Sequence, residues 1–193
     1  VGHDVEHTST TYSGLVLCAA WAIGHKIEQA RYDLAKQELR EHLDSAPSGF
    51  PRIELRSSPW AEALGVSLDP SISEVLLLHG TKSTALAAIL HTGLNERFSS
   101  GLFGNGTYLA DDAGKADQYC TIDAVKQRTK LHDALYPGET EHPGNVYYVL
   151  LCRAALGHAA VTLDGRSKQD GKGDLWANAD RRELGGIPGV DPP

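Results

Sequence analysis

The run Asn145–Leu156 (NVYYVLLCRAAL) constrains this chain more than any other stretch. It is rich in aromatic and aliphatic side chains and barely alternates, so it reads as a central strand covered on both faces. Such a strand needs layers on either side, and the rest of the chain has to supply them. Glu74–His79 (EVLLLH) reads as a second strand, and the compact apolar run Leu15–Ile23, which includes Trp21, as a buried third. Helical patterning lies between. Ile27, Ala30, Leu34, Leu39 and Leu43 recur at three- to five-residue steps, with Glu28, Arg31, Lys36, Glu38 and Arg40 on the opposite face. A second helix is expected after the turn Gly80-Thr81-Lys82, capped by Ser83 or Thr84, running through Leu86, Ile89 and Leu90, and stopped by Gly93.

Loops punctuate these elements. Ser45–Pro51 and the stretch around Pro59-Trp60 read as loops, and residues 95–106 (NERFSSGLFGNG) as a glycine-studded one. Thr107–Ala110 reads as a short strand, followed by a helix capped by Asp111 or Asp112 and ending near Tyr119. Residues 121–144 carry Pro137, Gly138, Pro143 and Gly144 and read as a broken helix and loop. Residues 1–13 are polar, a frayed lead-in. From Gly157 the chain breaks into short strands and loops and closes with GGIPGVDPP.

Composition removes several function classes. A net charge of -7 and pI ≈ 5.7 leave no basic footprint for generic nucleic-acid binding. No run approaches the ~18 apolar residues that a membrane span needs, and no signal peptide is visible. Cys18, Cys120 and Cys152 stand apart without a CxxC pair, which argues against disulfides and structural zinc. They read as reduced, mostly buried thiols of a cytoplasmic or nuclear protein. His132, His142 and His158 match no ligand spacing, so no metal site is expected. The chain has no Met, so it is expected to be a piece of a longer protein, a monomeric domain within it.

Three short stretches carry chemistry together: His79-Gly80-Thr81, Gly104–Asp111 (GNGTYLAD) and Lys115–Tyr119 (KADQY). Each alone is ordinary. A strand-ending His is usually structural, a GxG is turn chemistry, and a Tyr closing a helix is usually core packing. The GxG precedes a strand instead of opening a helix as GxGxxG, so a dinucleotide fold of that type is excluded. In this order, however, Tyr108 and Tyr119 can form opposite walls of one cleft and grip a flat heteroaromatic ring, a cationic pyridinium best of all. Gly80 lets its backbone approach a carboxamide edge-on, and His79 can donate to a ribose hydroxyl.

The run Leu76–Cys120 resembles the signature of poly(ADP-ribose) polymerase catalytic domains: HG, a helix ending in GL, FGxGxYxA, then KxxxY. Val146–Gly157 resembles the family's next central strand, and the region of Trp21 with its following helix resembles the family's opening. The resemblance covers most of the chain from about residue 15. It implies an α+β chain with the ADP-ribosyltransferase fold, a split mixed β-sheet with flanking helices, over residues 14–193. It implies NAD+ in the cleft as substrate, ADP-ribose transfer to a protein or other nucleophile, release of nicotinamide, and no metal cofactor. Residue by residue, His79 would bind ribose hydroxyls, and Gly80, with Thr81 beside it, would hold the carboxamide. Tyr119 would stack on the nicotinamide ring, Tyr108 would close its other side, and Lys115 would lie near the catalytic carboxylate. Residues 95–106 would flap over the donor.

Two departures qualify this. Many relatives carry Ser at the position of Ala116, and its hydroxyl holds the carboxamide; Ala forfeits that bond, worth about 1 kcal/mol. The family's catalytic Glu sits on a late strand, and nothing after Leu156 fits that pattern. Glu183, in the polar ADRRELGG, lacks strand character. The strand with the Glu is therefore expected beyond Pro193, and this chain is expected to be weakly active or inactive. A degenerate module that binds NAD+ or ADP-ribose, or an NAD+ glycohydrolase, is the alternative.

Overall fold

The computed structural model describes residues 2–3, 11–12, 14–45, 55, 57–95, 98, 100–101, 103–124, 129–138, 141–157, 159, 161–162, 176–178 and 183–184. In chain order these form β1 (Gly2–His3), β2 (Thr11–Tyr12), α1 (Lys26–Ser45), α2 (Ser58–Ala63), a 3-10 turn at Pro70–Ile72, β3 (Glu74–Gly80) and α3 (Ser83–Thr92). Then follow β4 (Ser100–Gly101), β5 (Gly104–Asn105), α4 (Ala113–Asp117), α5 (Lys130–Leu135), β6 (Val149–Ala155), β7 (Trp176–Asn178) and β8 (Glu183–Leu184). The expected loop over residues 46–51, His158 and the closing run 185–193 lie outside the described residues.

The spine is β3 paired antiparallel with β6, in register from Glu74 opposite Ala155 to Gly80 opposite Val149. On the other edge of β3, Leu78 and Ala110 exchange both backbone bonds at 2.8 Å. Below the strands, Leu86 and Leu90 of α3 pack with Leu131 and Leu135 of α5, with Val146 and Tyr148 leading into β6, and with Leu150 inside it. Helix α3 ends at Gly93, whose φ of 79 suits a residue without Cβ. At its start neither Ser83 nor Thr84 caps. Lys82 holds the cap position, and the Ser83 amide donates to the Thr121 hydroxyl at 3.1 Å.

Helix α1 forms where its periodicity predicts, but the side that docks joins Leu39 and Leu43, both half-buried, with a polar stripe. Tyr32, Lys36 and Arg40 lie four residues apart on one stripe. Tyr32 and Lys36 donate to Glu74 Oε1 at 2.9 and 3.0 Å, and Arg40 donates twice to Asp69 Oδ2 at 2.9 and 2.6 Å. The Asp69 amide and Arg153 reach Glu74 Oε2 at 2.8 and 3.0 Å. Ile27 and Leu34, expected on the buried face, are 62% and 58% exposed. A buried carboxylate requires cations and donors around it, and that demand sets the helix rotation over apolar periodicity. Burial alone would raise the Glu74 carboxyl, yet the bonds from Lys36, the Asp69 amide, Tyr32 and Arg153 bring it down to about 2.

Other expectations need correction. Residues 14–25 form no strand, and Val16 and Leu17 are 87% and 82% exposed. Within that stretch Trp21 docks: its indole donates to Leu135 O at 3.0 Å and meets the Tyr136 ring edge-on at 5.5 Å. Strand β6 is shorter than its apolar run and alternates, with Leu150 and Cys152 half-buried but Val149 and Leu151 exposed, so one face lacks cover among the described residues. Every pairing among those residues is antiparallel and two-stranded, so the mixed character of the expected sheet does not show there. Of Thr107–Ala110, Ala110 alone pairs, and as a single bridge. Glu183, expected to lack strand character, lies in β8 opposite Asn178. Of the three thiols Cys18 is exposed, Cys152 partly buried and Cys120 fully so. Burial pushes the Cys152 thiol up to about 11, which leaves it unreactive. No helix among the described residues is long and apolar enough to cross a membrane.

Candidate donor-binding site

The end of β3 and the C-terminal half of α4 meet because residue 80 is glycine. A Cβ built on Gly80 would stand 1.8 Å from the Ala116 carbonyl oxygen and 2.7 Å from its carbon. Only a bare Cα permits that approach. Helix α4 is set by Asp112, whose side chain accepts from the Lys115 amide at 3.1 Å. Cys120 fixes the far end, its fully buried thiol lying 3.6 Å from Ala116 O and 3.4 Å from Tyr148 O, two acceptors for its one proton. Strand direction then decides where the Gly80 backbone points. Alternate residues of a strand turn N–H and C=O toward the same edge. Leu78 spends its pair on Ala110, so Gly80 turns its own pair to that same edge, away from β6.

His79 is half-buried one residue earlier, and its Nδ1 lies 2.9 Å from the Tyr108 carbonyl oxygen. A carbonyl only accepts, so Nδ1 carries the proton and Nε2 of the neutral ring holds a lone pair. With Nδ1 so engaged, Nε2 is the ring nitrogen left to face a ligand. The half-buried Tyr108 is held by the β4–β5 hairpin, with its hydroxyl accepting from the Phe103 amide at 3.1 Å. Tyr119 sits in the turn after α4, 52% exposed, with the Lys115 ammonium 5.1 Å from its ring centroid. Thr81 is buried directly after β3. A chain of contacts thus joins six of the seven expected residues: Tyr119 to Lys115, α4 through Ala116 to Gly80, and His79 to Tyr108.

Sequence spacing did not reveal a second polar group. Asp123, His132 and His142 place one side-chain N or O atom each within 4.8 Å of one another. Asp123 Oδ2 lies 3.0 Å from His132 Nε2 and 3.6 Å from His142 Nε2. The opposite nitrogens decide what this group is. His132 Nδ1 accepts from the Thr129 amide at 3.0 Å, and His142 Nδ1 from the Gly144 amide at 3.0 Å. Backbone N–H only donates, so both rings carry their proton on Nε2, facing Asp123. A metal ion needs the reverse arrangement, a lone pair at Nε2 and Nδ1–H turned outward. His132 Nε2 is hydrogen-bonded to Asp123, whereas His142 Nε2 bonds the Tyr148 hydroxyl at 3.3 Å and stands beyond hydrogen-bond reach of the carboxylate. Burial, the Tyr136 hydroxyl and the Asp123 charge together keep Tyr148 protonated by pushing its hydroxyl well above the usual range.

Comparison with known proteins adds one positive finding. The family model for the poly(ADP-ribose) polymerase catalytic domain matches residues 3–182, nearly the whole chain. No individually curated protein matches.

Proposed function

Because the chain belongs to the poly(ADP-ribose) polymerase catalytic domain family, whose general activity is ADP-ribosyl transfer, we propose that it binds NAD+ and moves ADP-ribose to a protein or another nucleophile, releasing nicotinamide. The observation that carries this reading is the contact of Gly80 with Ala116, which brings the backbone of β3 beside the helix leading to Tyr119. Gly80 N–H and C=O, turned from β6, bond the carboxamide. Tyr119 offers an open aromatic face to the pyridinium, whose charge strengthens the stack. Tyr108, held by the β4–β5 hairpin, closes the other side, and His79 Nε2 accepts from a ribose hydroxyl.

Breaking the nicotinamide–ribose bond develops positive charge at the anomeric carbon, as in other glycosyl transfers. The site fixes the leaving group at both its edge and its face, so the departing ring is held while the sugar moves toward the acceptor. A carboxylate beside the ribose would stabilise that cation, with Lys115 near it. Ala116 favours a second reading, a module that binds the donor without chemistry, since its buried methyl gives the carboxamide no bond. Incubation with labelled NAD+ and a protein acceptor separates these. Label on protein supports transfer, free ADP-ribose supports hydrolysis, saturable binding without turnover supports the module, and absence of binding overturns all three.

A further inference from the structure

We infer that Lys115 sets the charge selectivity of the donor site: its ammonium, over the Tyr119 ring, weakens that ring's hold on a cationic pyridinium relative to a neutral pyridine. The inference rests on the donor-site reading and adds a specificity-determining role to it. Helix α4 and the turn after it put residues 115, 118 and 119 on one side, at steps of three and four. The Lys115 ammonium lies 5.1 Å from the Tyr119 ring centroid and donates to Gln118 Oε1 at 3.4 Å. Gln118 steadies the ammonium without cancelling its charge, since an amide oxygen is neutral. Asp112 turns its carboxylate to the Lys115 backbone amide instead. Among the described residues, no carboxylate forms an ion pair with the Lys115 ammonium.

A phenol ring attracts cations through its quadrupole, and here one cation already draws on it. A pyridinium stacked on Tyr119 meets that ammonium as a like charge, so part of the ring's pull is offset by repulsion. Neutral nicotinamide has the same shape and the same carboxamide, and it feels neither effect. The distinction follows the bond that breaks. On cleavage of the nicotinamide–ribose bond, the bonding electron pair passes to the ring nitrogen and the positive charge to the anomeric carbon. The bound ring is then neutral. Lys115 thus disfavours the ring of the intact donor and spares the ring that leaves.

The test compares nicotinamide with its cation methylated at the ring nitrogen, where the ribose of the donor is attached. Both affinities are read by amide NMR titration of the intact chain. Lys115 is exposed, so its replacement leaves the packing intact. Lys115→Gln removes the charge and should raise affinity for the methylated cation relative to nicotinamide by about threefold, the scale of an exposed cation–π contact. Lys115→Arg keeps the charge and should hold the ratio at its wild-type value. A merely structural lysine would move both affinities together. If nicotinamide binds but Lys115→Gln leaves the ratio unmoved, or Lys115→Arg shifts it as far, the inference is overturned and the donor site stands. Saturable shifts from neither ligand would overturn the donor-site reading itself, and this inference with it.

Discussion

At position 80 a single missing carbon decides whether β3 and α4 can touch. Gly80→Ala would put a methyl group against the Ala116 carbonyl, so α4 must shift. We expect a loss of about 1–3 kcal/mol in denaturant unfolding, the usual cost of overpacking, together with loss of benzamide binding. Ala116→Ser restores a hydroxyl at a position only 2% exposed. It should tighten benzamide by about 1 kcal/mol, one added hydrogen bond, in calorimetry. Unchanged affinity would mean that residue 116 does not face the carboxamide. As candidates, His79, Gly80, Tyr108, Lys115, Ala116 and Tyr119 were legible because they lie on consecutive short elements with characteristic spacing. The direction of the His79 bond was not, since its tautomer is set by a carbonyl 29 residues away.

Among the elements, α1 shows how a local pattern can find a helix and misjudge half of its face: Leu39 and Leu43 are half-buried, Ile27 and Leu34 exposed. Apolar periodicity located it, yet Tyr32, Lys36 and Arg40 turn inward because Glu74 is buried on β3 and Asp69 lies just before that strand. Glu74→Gln leaves Lys36 and Arg153 against a neutral amide and should cost about 3 kcal/mol in urea unfolding, the lower range for breaking a buried ion pair. A loss near zero would show that α1 is held by other contacts. The carboxyl also sets a pH dependence. Its folded value of about 2 lies below the ordinary 4.5, so its contribution is full above pH 4.5 and is lost as pH falls toward 2. Unfolding free energy should therefore drop through that window in the wild type and drop less in Glu74→Gln. The apolar runs behind β3 and β6 were equally legible as strands. The extent of their cover was not, because an apolar run records a demand for partners and says nothing about where along the chain those partners lie.

For the molecule as a whole, the family was readable from the order of motifs between Leu76 and Cys120, and the match over residues 3–182 agrees. Long-range assembly was harder to read. Asp123, His132 and His142 converge only after α5 folds back on the stretch following Tyr119, so their separations in sequence carried no ligand pattern. Leu15–Ile23 looked buried because it is apolar, yet Trp21 alone is seen to dock. The donor site is where local and long-range order meet, and a flat uncharged carboxamide such as benzamide probes it without any chemistry. An amide NMR titration with benzamide should give saturable shifts concentrated at residues 79–81, 108–110 and 115–119, and Tyr119→Ala should weaken binding by about 1–3 kcal/mol, as for a lost aromatic stack. Saturable shifts elsewhere in the chain, or an affinity that Tyr119→Ala leaves untouched, would contradict the account.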